Sequence, residues 1–373
     1  MEKQSRRQFI KWCLHLAAAI SGPGLALASS FLVGCRRRAA PVSPPETVGK
    51  DTKEQAAAKS PAETGRRFEP AYLRLHRSGE LKKRGQELWD ILKSCELCPR
   101  QCGLDRHQTE GFCQASSQLE VASHHPHFGE EAPLVGRGGS GTIFLTNCSL
   151  RCVFCINWEI SQEGKGRPCT IDDLAEMMLD LQRRGCHNIN VVTPTHYSPH
   201  IVRAIDTAAG KGLRLPIVYN TCGWERLEIL KQLDGIVDIY LPDFKYAHGE
   251  MAAKYSSAAR AYPEITKAAL LEMHRQVGVA KPARDGLIYR GLMIRHLVMP
   301  NRIGGTKQVI EWIAENLPKD TYVNIMSQYT PMYKAFQFPE ISRRITAEEY
   351  REAIRWAKEA GLTAVLEQGR VWL

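Results

Sequence analysis

Short β-rich apolar runs recur along the chain from residue 141, and helical patterns separate several of them. "GTIFLTN", "INVVTP", "PIVYN", "VDIYLPD", "LMIRHLVM" and "YVNIM" each have the length and composition of a buried strand. Thr170 reads as a helix N-cap. Ile171, Leu174, Met178 and Leu181 follow the 3.6-residue period behind it, and Asp173 stands where a capping box needs an acid. Further helices are expected to begin near Ser198, Trp224, Thr306 and Thr346. Thr346 with Glu349 repeats the capping box, and Gly361 supplies a C-terminal stop. Strand and helix alternating about six times predicts an α/β fold: a parallel sheet covered by helices and curled into a partial (β/α)6-type TIM barrel. Chemistry in such folds sits at the C-terminal ends of the strands.

The region before residue 70 lacks this pattern and divides in two. "SRRQFIKWCLHLAAAISGPGLALASSFLVGC" holds the twin arginines Arg6 and Arg7, then an apolar run ending in "LVGC". Residues 1–34 resemble a twin-arginine export signal with a lipoprotein box, which implies cleavage before Cys35 and acylation of its thiol. Trp12 to Val33 is also long enough for an uncleaved membrane anchor. Residues 35–70, rich in Ala, Pro, Glu and Lys, show no hydrophobic period and read as a disordered linker. Residues 71–135 form a Cys-rich N-terminal segment, and 136–373 the barrel. The expected location is membrane-anchored on the periplasmic side, with a cytoplasmic enzyme as the alternative.

Composition narrows the function. Of the +10 net charge, six units lie in residues 1–70, which carry 12 Lys+Arg against 6 Asp+Glu. The remainder is too mild for a nucleic-acid partner, and no basic stripe with interleaved aromatics accompanies it. The chain holds 12 cysteines, seven of them in two tight groups, a usage that points to metal binding before disulfides. Cys169, Cys186 and Cys222 stand singly and read as packing residues. His124, His125 and His127 in "ASHHPHFG" read as a solvated loop.

One group follows the first strand. "TNCSLRCVFC" places Cys148, Cys152 and Cys155 within eight residues. A structural zinc needs four ligands and a disulfide two, whereas three thiolates hold three irons of a [4Fe–4S] cube and leave the fourth iron open. The other group, Cys95, Cys98, Cys102 and Cys113, has C-x2-C-x3-C-x10-C spacing with Pro99 and nearby glycines for tight turns. Four thiolates suit zinc or an auxiliary iron–sulfur cluster equally, and two disulfides remain open in an oxidising compartment.

"CSLRCVFC" resembles the C-x3-C-x-Φ-C signature of radical S-adenosylmethionine (SAM) enzymes. From Cys95 onward the chain is similar to the pyruvate formate-lyase activating enzyme-like subfamily, through "VVTPTHYSPH", "VYNTCGWE", "DIYLPDFKYA", "GLMIRHLVMPN" and "YVNIMSQYTP". The resemblance implies a radical SAM enzyme in which SAM binds the open iron and is reductively cleaved. The resulting 5′-deoxyadenosyl radical abstracts hydrogen from a substrate, here a glycyl-radical-type protein. It also implies a low-potential electron donor of the flavodoxin or ferredoxin kind.

Candidate SAM contacts by the same resemblance are Phe154 beside adenine and Thr193, Thr195 and His196 near the amino group. A Gly-Gly-Glu stretch common in the superfamily is missing at that last position. Asn220 is the candidate for the ribose, and Asp243 and Lys245 for the methionine carboxylate. Arg295 and His296 are added at the end of the fifth strand. Two other classes stay open: a membrane-tethered iron–sulfur electron carrier, which needs no SAM pocket, and a radical SAM enzyme acting on a small molecule.

Overall fold

The computed structural model describes residues 68–367 and, by backbone alone, 370–372. Arg6, Arg7, Cys35 and nearly all of the 35–70 stretch lie outside the described residues. Gly65–Leu373 form one compact unit. No helix of the described residues is long and apolar enough to cross a membrane.

Among the described residues ten strands make one sheet: β1 (Leu119–His127), β2 (Ser140–Leu145), β3 (Arg167–Cys169), β4 (Ile189–Val192), β5 (Ile217–Thr221), β6 (Ile239–Pro242), β7 (Gly291–Leu297), β8 (Tyr322–Met326), β9 (Val365–Glu367) and β10 (Arg370–Trp372). Their spatial order is β10-β9-β8-β7-β6-β5-β4-β2-β1-β3. From β2 through β9 every pairing is parallel; β1, β3 and β10 are antiparallel additions at the two edges. The six runs read as strands from the sequence are β2, β4, β5, β6, β7 and β8. The arrangement agrees with a partial barrel.

Both capping boxes form. Thr170 Oγ1 accepts from the Asp173 amide at 3.0 Å and Thr346 Oγ1 from the Glu349 amide at 3.1 Å, each acid bonding back to its N-cap amide. They start the helices Ile171–Arg183 and Ala347–Glu359. Gly361, at φ +76°, ends the latter, because its missing Cβ removes the cost of a left-handed turn. The helix expected near Trp224 starts at Leu227 instead; Trp224 stacks on Tyr262 at 6.0 Å. The sequence reading missed Gly249–Tyr255 and Tyr262–Val277, the paired helices that carry the chain from β6 to β7.

The parallel strands obey a period of two that decides which side chains enter the barrel. Val218, Ile239, Leu241, Met293, Tyr322 and Leu366 form one buried cluster. Ile217, Tyr219, Tyr240, Leu292, Ile294, Val323 and Ile325 alternate with them and join the larger apolar cluster under the helices. Each fully buried Leu or Ile contributes roughly 1.5–3 kcal/mol against the entropy of ordering the chain.

The boundary drawn at residue 135 has no structural counterpart. β1 belongs to the sheet, and the helix Glu80–Asp90 packs on Ser198–Gly210 with Leu81 and Leu88 fully buried. Gly85 permits that approach, since a Cβ there would meet Arg203 Cγ at 2.9 Å. The histidines read as a loop lie on β1. His124 pairs with Asp180 at 3.5 Å, and His125 stacks on Phe144 at 5.6 Å.

Candidate active site

β2 ends at Leu145, and the chain then turns through Asn147 and Arg151, both in the left-handed region at φ +68° and +53°. Non-glycine residues rarely hold such backbone, and neighbouring elements fix it here. The Asn147 amide donates to Ile160 O at 3.0 Å and the Val153 amide to Tyr255 O at 2.9 Å. The loop thereby presents Cys148, Cys152 and Cys155 to one cavity of about 390 Å³, within the range of small-ligand sites.

Side-chain partners from three different elements reach the three sulfurs, beside backbone amides that reach Cys148 and Cys155. Ser256 Oγ donates to Cys152 Sγ and Ser161 Oγ to Cys155 Sγ, both at 3.1 Å. The Cys222 thiol, one residue past β5, lines the same cavity and favours the Cys148 thiolate. That interaction, outweighing burial, brings Cys148 down to about 6, while burial pushes Cys152 up to about 12. The Lys245 ammonium favours the thiolate at all three positions. Three thiols with a donor apiece and a shared cation fit the ligand set of an iron–sulfur cluster, whose potential such bonds tune. Cys222 lines the same cavity, so the packing role read from the sequence is corrected. Cys169 and Cys186 are buried singly, as expected.

The opposite wall is polar. Lys245 Nζ lies 2.5 Å from Asp243 Oδ2, Arg295 Nε 2.8 Å from Asp243 Oδ1, and Arg295 Nη2 2.6 Å from Asn220 Oδ1. Burial opposes the charge on Asp243, but Arg295 and Lys245 more than offset it and hold its pKa below the usual range. Burial likewise opposes charging Lys245, and Asp243 above all, with Cys152 and Tyr262, outweighs it. Phe154 is buried beside Tyr329 and Tyr246, its ring 5.8 and 6.4 Å from theirs. With Asn220, Asp243, Lys245, Arg295 and Thr193 it lines the cavity that the thiols enter. Apolar and cationic surfaces side by side suit a nucleoside joined to an amino acid, so the residues present fit SAM.

Three residues grouped with these stand elsewhere. His296 follows Arg295 on β7, and a strand cannot turn neighbours to one face. Its ring bonds Phe244 O at 2.6 Å and Thr306 Oγ1 at 2.9 Å outside the barrel, and burial lowers it to about 4. Thr195 and His196 lie on the short turn after β4 and do not line the cavity. Thr195 Oγ1 donates to Glu225 at 2.5 Å, and His196 Nε2 bonds Thr146 O at 2.8 Å. Burial brings His196 down to about 3, so it is neutral.

Sequence reasoning also missed Glu225. This fully buried acid accepts from Thr195 and Thr221 and is raised to about 7 by burial. Cys222 was legible by one rule already in use, that strand ends carry chemistry; it lies two residues past Asn220.

The radical SAM superfamily pattern matches residues 142–279, from β2 to just past the last helix before β7. The chain is similar to the uncharacterized protein MJ0674 of Methanocaldococcus jannaschii, at 32% identity over 287 residues, 74% of this chain and 78% of that protein. Among solved structures it is similar to a radical SAM methyltransferase from Sphaerobacter thermophilus, with TM-score 0.41 and 15% identity over 60% of this chain and 66% of that one. It is also similar to methylornithine synthase, with TM-score 0.37 and 12% identity over 77% and 74%. The chain belongs to the radical SAM superfamily.

Proposed function

We propose that Cys148, Cys152 and Cys155 hold a [4Fe–4S] cluster with one iron free of cysteine, and that SAM occupies the adjoining cavity. When bound, the two groups supply a one-electron cleavage of the sulfonium and a 5′-deoxyadenosyl radical that abstracts hydrogen. The convergence of three hydrogen-bonded thiols with the Asp243–Lys245–Arg295 network in one cavity carries this reading. Lys245 and Arg295 would bind the SAM carboxylate, Asp243 would fix both cations, Asn220 would meet the ribose, and Phe154 would cover adenine.

The subfamily resemblance favours a peptidyl glycine as hydrogen donor, a protein substrate, and a flavodoxin- or ferredoxin-like electron source. The signal-like N-terminus favours a tethered enzyme on the periplasmic side.

Reduced, reconstituted protein should convert SAM to 5′-deoxyadenosine and methionine, and Cys152→Ala should abolish this. Wild-type turnover in that variant would overturn the reading. With an α-deuterated glycine peptide, deuterium should appear in the 5′-deoxyadenosine.

One observation favours a small-molecule donor instead. A second cavity of about 300 Å³ shares Arg295 and Glu130 with the first. Glu130 and Glu131 each keep one buried carboxylate oxygen there without a hydrogen-bond partner. A substrate rich in N–H donors would satisfy both. Deuterium transfer from labelled amines but not from glycine peptides would select that reading.

A further inference from the structure

Arg106 is fully buried, yet among the described residues it forms no ion pair with a carboxylate. Its Nη1 donates to His196 O at 2.8 Å and its Nη2 to Ser116 O at 2.5 Å, and its Nε has no partner. Neutral carbonyls do not balance a full charge, and a buried unpaired ion costs several kcal/mol. Its guanidinium also lies 5.9 Å from the centre of the Tyr197 ring, a neutral face, and its remaining polar neighbours are sulfurs. Nη1 stands 4.0 Å from Cys95 Sγ, and the guanidinium acts electrostatically on Cys95 and Cys113.

Those sulfurs belong to a gathered set. Cys98 interacts with Cys113, Cys95 and Cys102, and Cys113 with Cys95 and Cys102. Gly111 faces them without a side chain: a Cβ there would lie 3.4 Å from Cys102 Sγ and 3.6 Å from Cys113 Sγ. The backbone closes the loop around them through Cys95 N to Leu104 O at 2.9 Å and Gly103 N to Cys95 O at 3.0 Å.

The charge of Arg106 sorts the alternatives. Two disulfides or four neutral thiols would leave it unbalanced, whereas four thiolates on zinc or on a [4Fe–4S] cube carry a net negative charge. Spacing then separates the two metals. A tetrahedral zinc with Zn–S about 2.3 Å draws its sulfurs to roughly 3.8 Å from one another. Among the described residues no group of three or more Cys, His, Asp or Glu is gathered closely enough for a single metal ion. A cube of four irons holds its thiolates farther apart.

We infer that Cys95, Cys98, Cys102 and Cys113 ligate a second iron–sulfur cluster, with Arg106 as its buried counter-charge. Arg100 links this site to the active site. Its Nε donates to Ser149 O at 3.1 Å and its Nη2 to Ser256 O at 3.2 Å, and its charge acts on Cys98 as well as on Cys148, Cys222 and Cys152.

The test is iron and acid-labile sulfide after anaerobic reconstitution. Wild-type protein should hold about eight irons and the Cys148→Ala/Cys152→Ala/Cys155→Ala variant about four, with equal sulfide. A variant free of iron, or one holding zinc without sulfide, would overturn the inference. In that variant background Arg106→Met should lower the reduction potential of the remaining cluster while Arg106→Lys largely preserves it; equal potentials would remove the counter-charge role. Eight irons without SAM cleavage would sink the proposed activity and leave the second cluster standing.

Discussion

Cys222, just beyond the end of β5, shares a cavity with Cys148, which lies seventy-four residues earlier in the loop after β2, and its thiol favours the Cys148 thiolate. The cavity therefore holds four thiols, three from one loop and one from a strand end. Cys222→Ala should leave the iron of the active-site cluster at about four while lowering its reduction potential, because the thiol partner of a ligand sulfur is lost. Iron analysis and a redox titration decide. Loss of one iron would make Cys222 the fourth ligand and end the open-iron proposal.

Asp243 is the shared anion of two buried cations. Asp243→Asn should cost about 3–5 kcal/mol in chemical denaturation, since Lys245 and Arg295 lose their counter-charge. The folded pKa of this acid is depressed, so its contribution is present above the unfolded value and lost as pH falls through the folded one. The gap between wild type and variant should therefore narrow below about pH 4. A gap that stayed constant into acid would contradict the assignment.

Glu225 behaves oppositely. Its folded pKa is raised to about 7 from 4.5, so the folded protein keeps a proton that the unfolded chain has released. Stability should fall as pH rises between those values, by about 3 kcal/mol in all. Glu225→Gln should flatten this slope, so the wild-type deficit relative to the variant grows from pH 5 to pH 8. Parallel denaturation midpoints at the two pH values would refute it.

Arg295 and His296 should separate cleanly. Arg295→Ala should weaken SAM binding, measured by calorimetry on the reconstituted protein. His296→Ala should destabilise by roughly 2–4 kcal/mol through a cavity and two lost hydrogen bonds, with SAM affinity nearly unchanged. The reverse pattern would place His296 in the site.

For the N-terminus, changing Arg6 and Arg7 together to Lys should hold the protein in the cytoplasm, and Cys35→Ala should block acylation. Protease added to intact spheroplasts should cut between residues 35 and 70. Full protection until lysis would mean a cytoplasmic enzyme.

The strand runs, both capping boxes and the three-thiol loop were legible because each depends on neighbours within about ten residues. Periodicity also contained the face of Arg295 against His296; the reading failed there by naming both. The paired helices before β7 and the strand under the three histidines were missed because their burial comes from distant partners. Thr195 and His196 were misplaced because a turn after a strand has no period from which to infer direction.

The sequence alone determined the alternation that makes a parallel sheet and the spacing of three thiols at the first strand end. It also supplied four more cysteines in a turn-rich segment. All of these are local: hydrogen-bond geometry and side-chain period write them into short stretches of chain. Only the tertiary structure decided that Cys222 shares a cavity with Cys148, that Asp243 serves Lys245 and Arg295 together, and that Arg106 lies buried beside Cys95. Those are electrostatic relationships between groups far apart in sequence, and their strength depends on burial, which no residue possesses until the chain has closed around it.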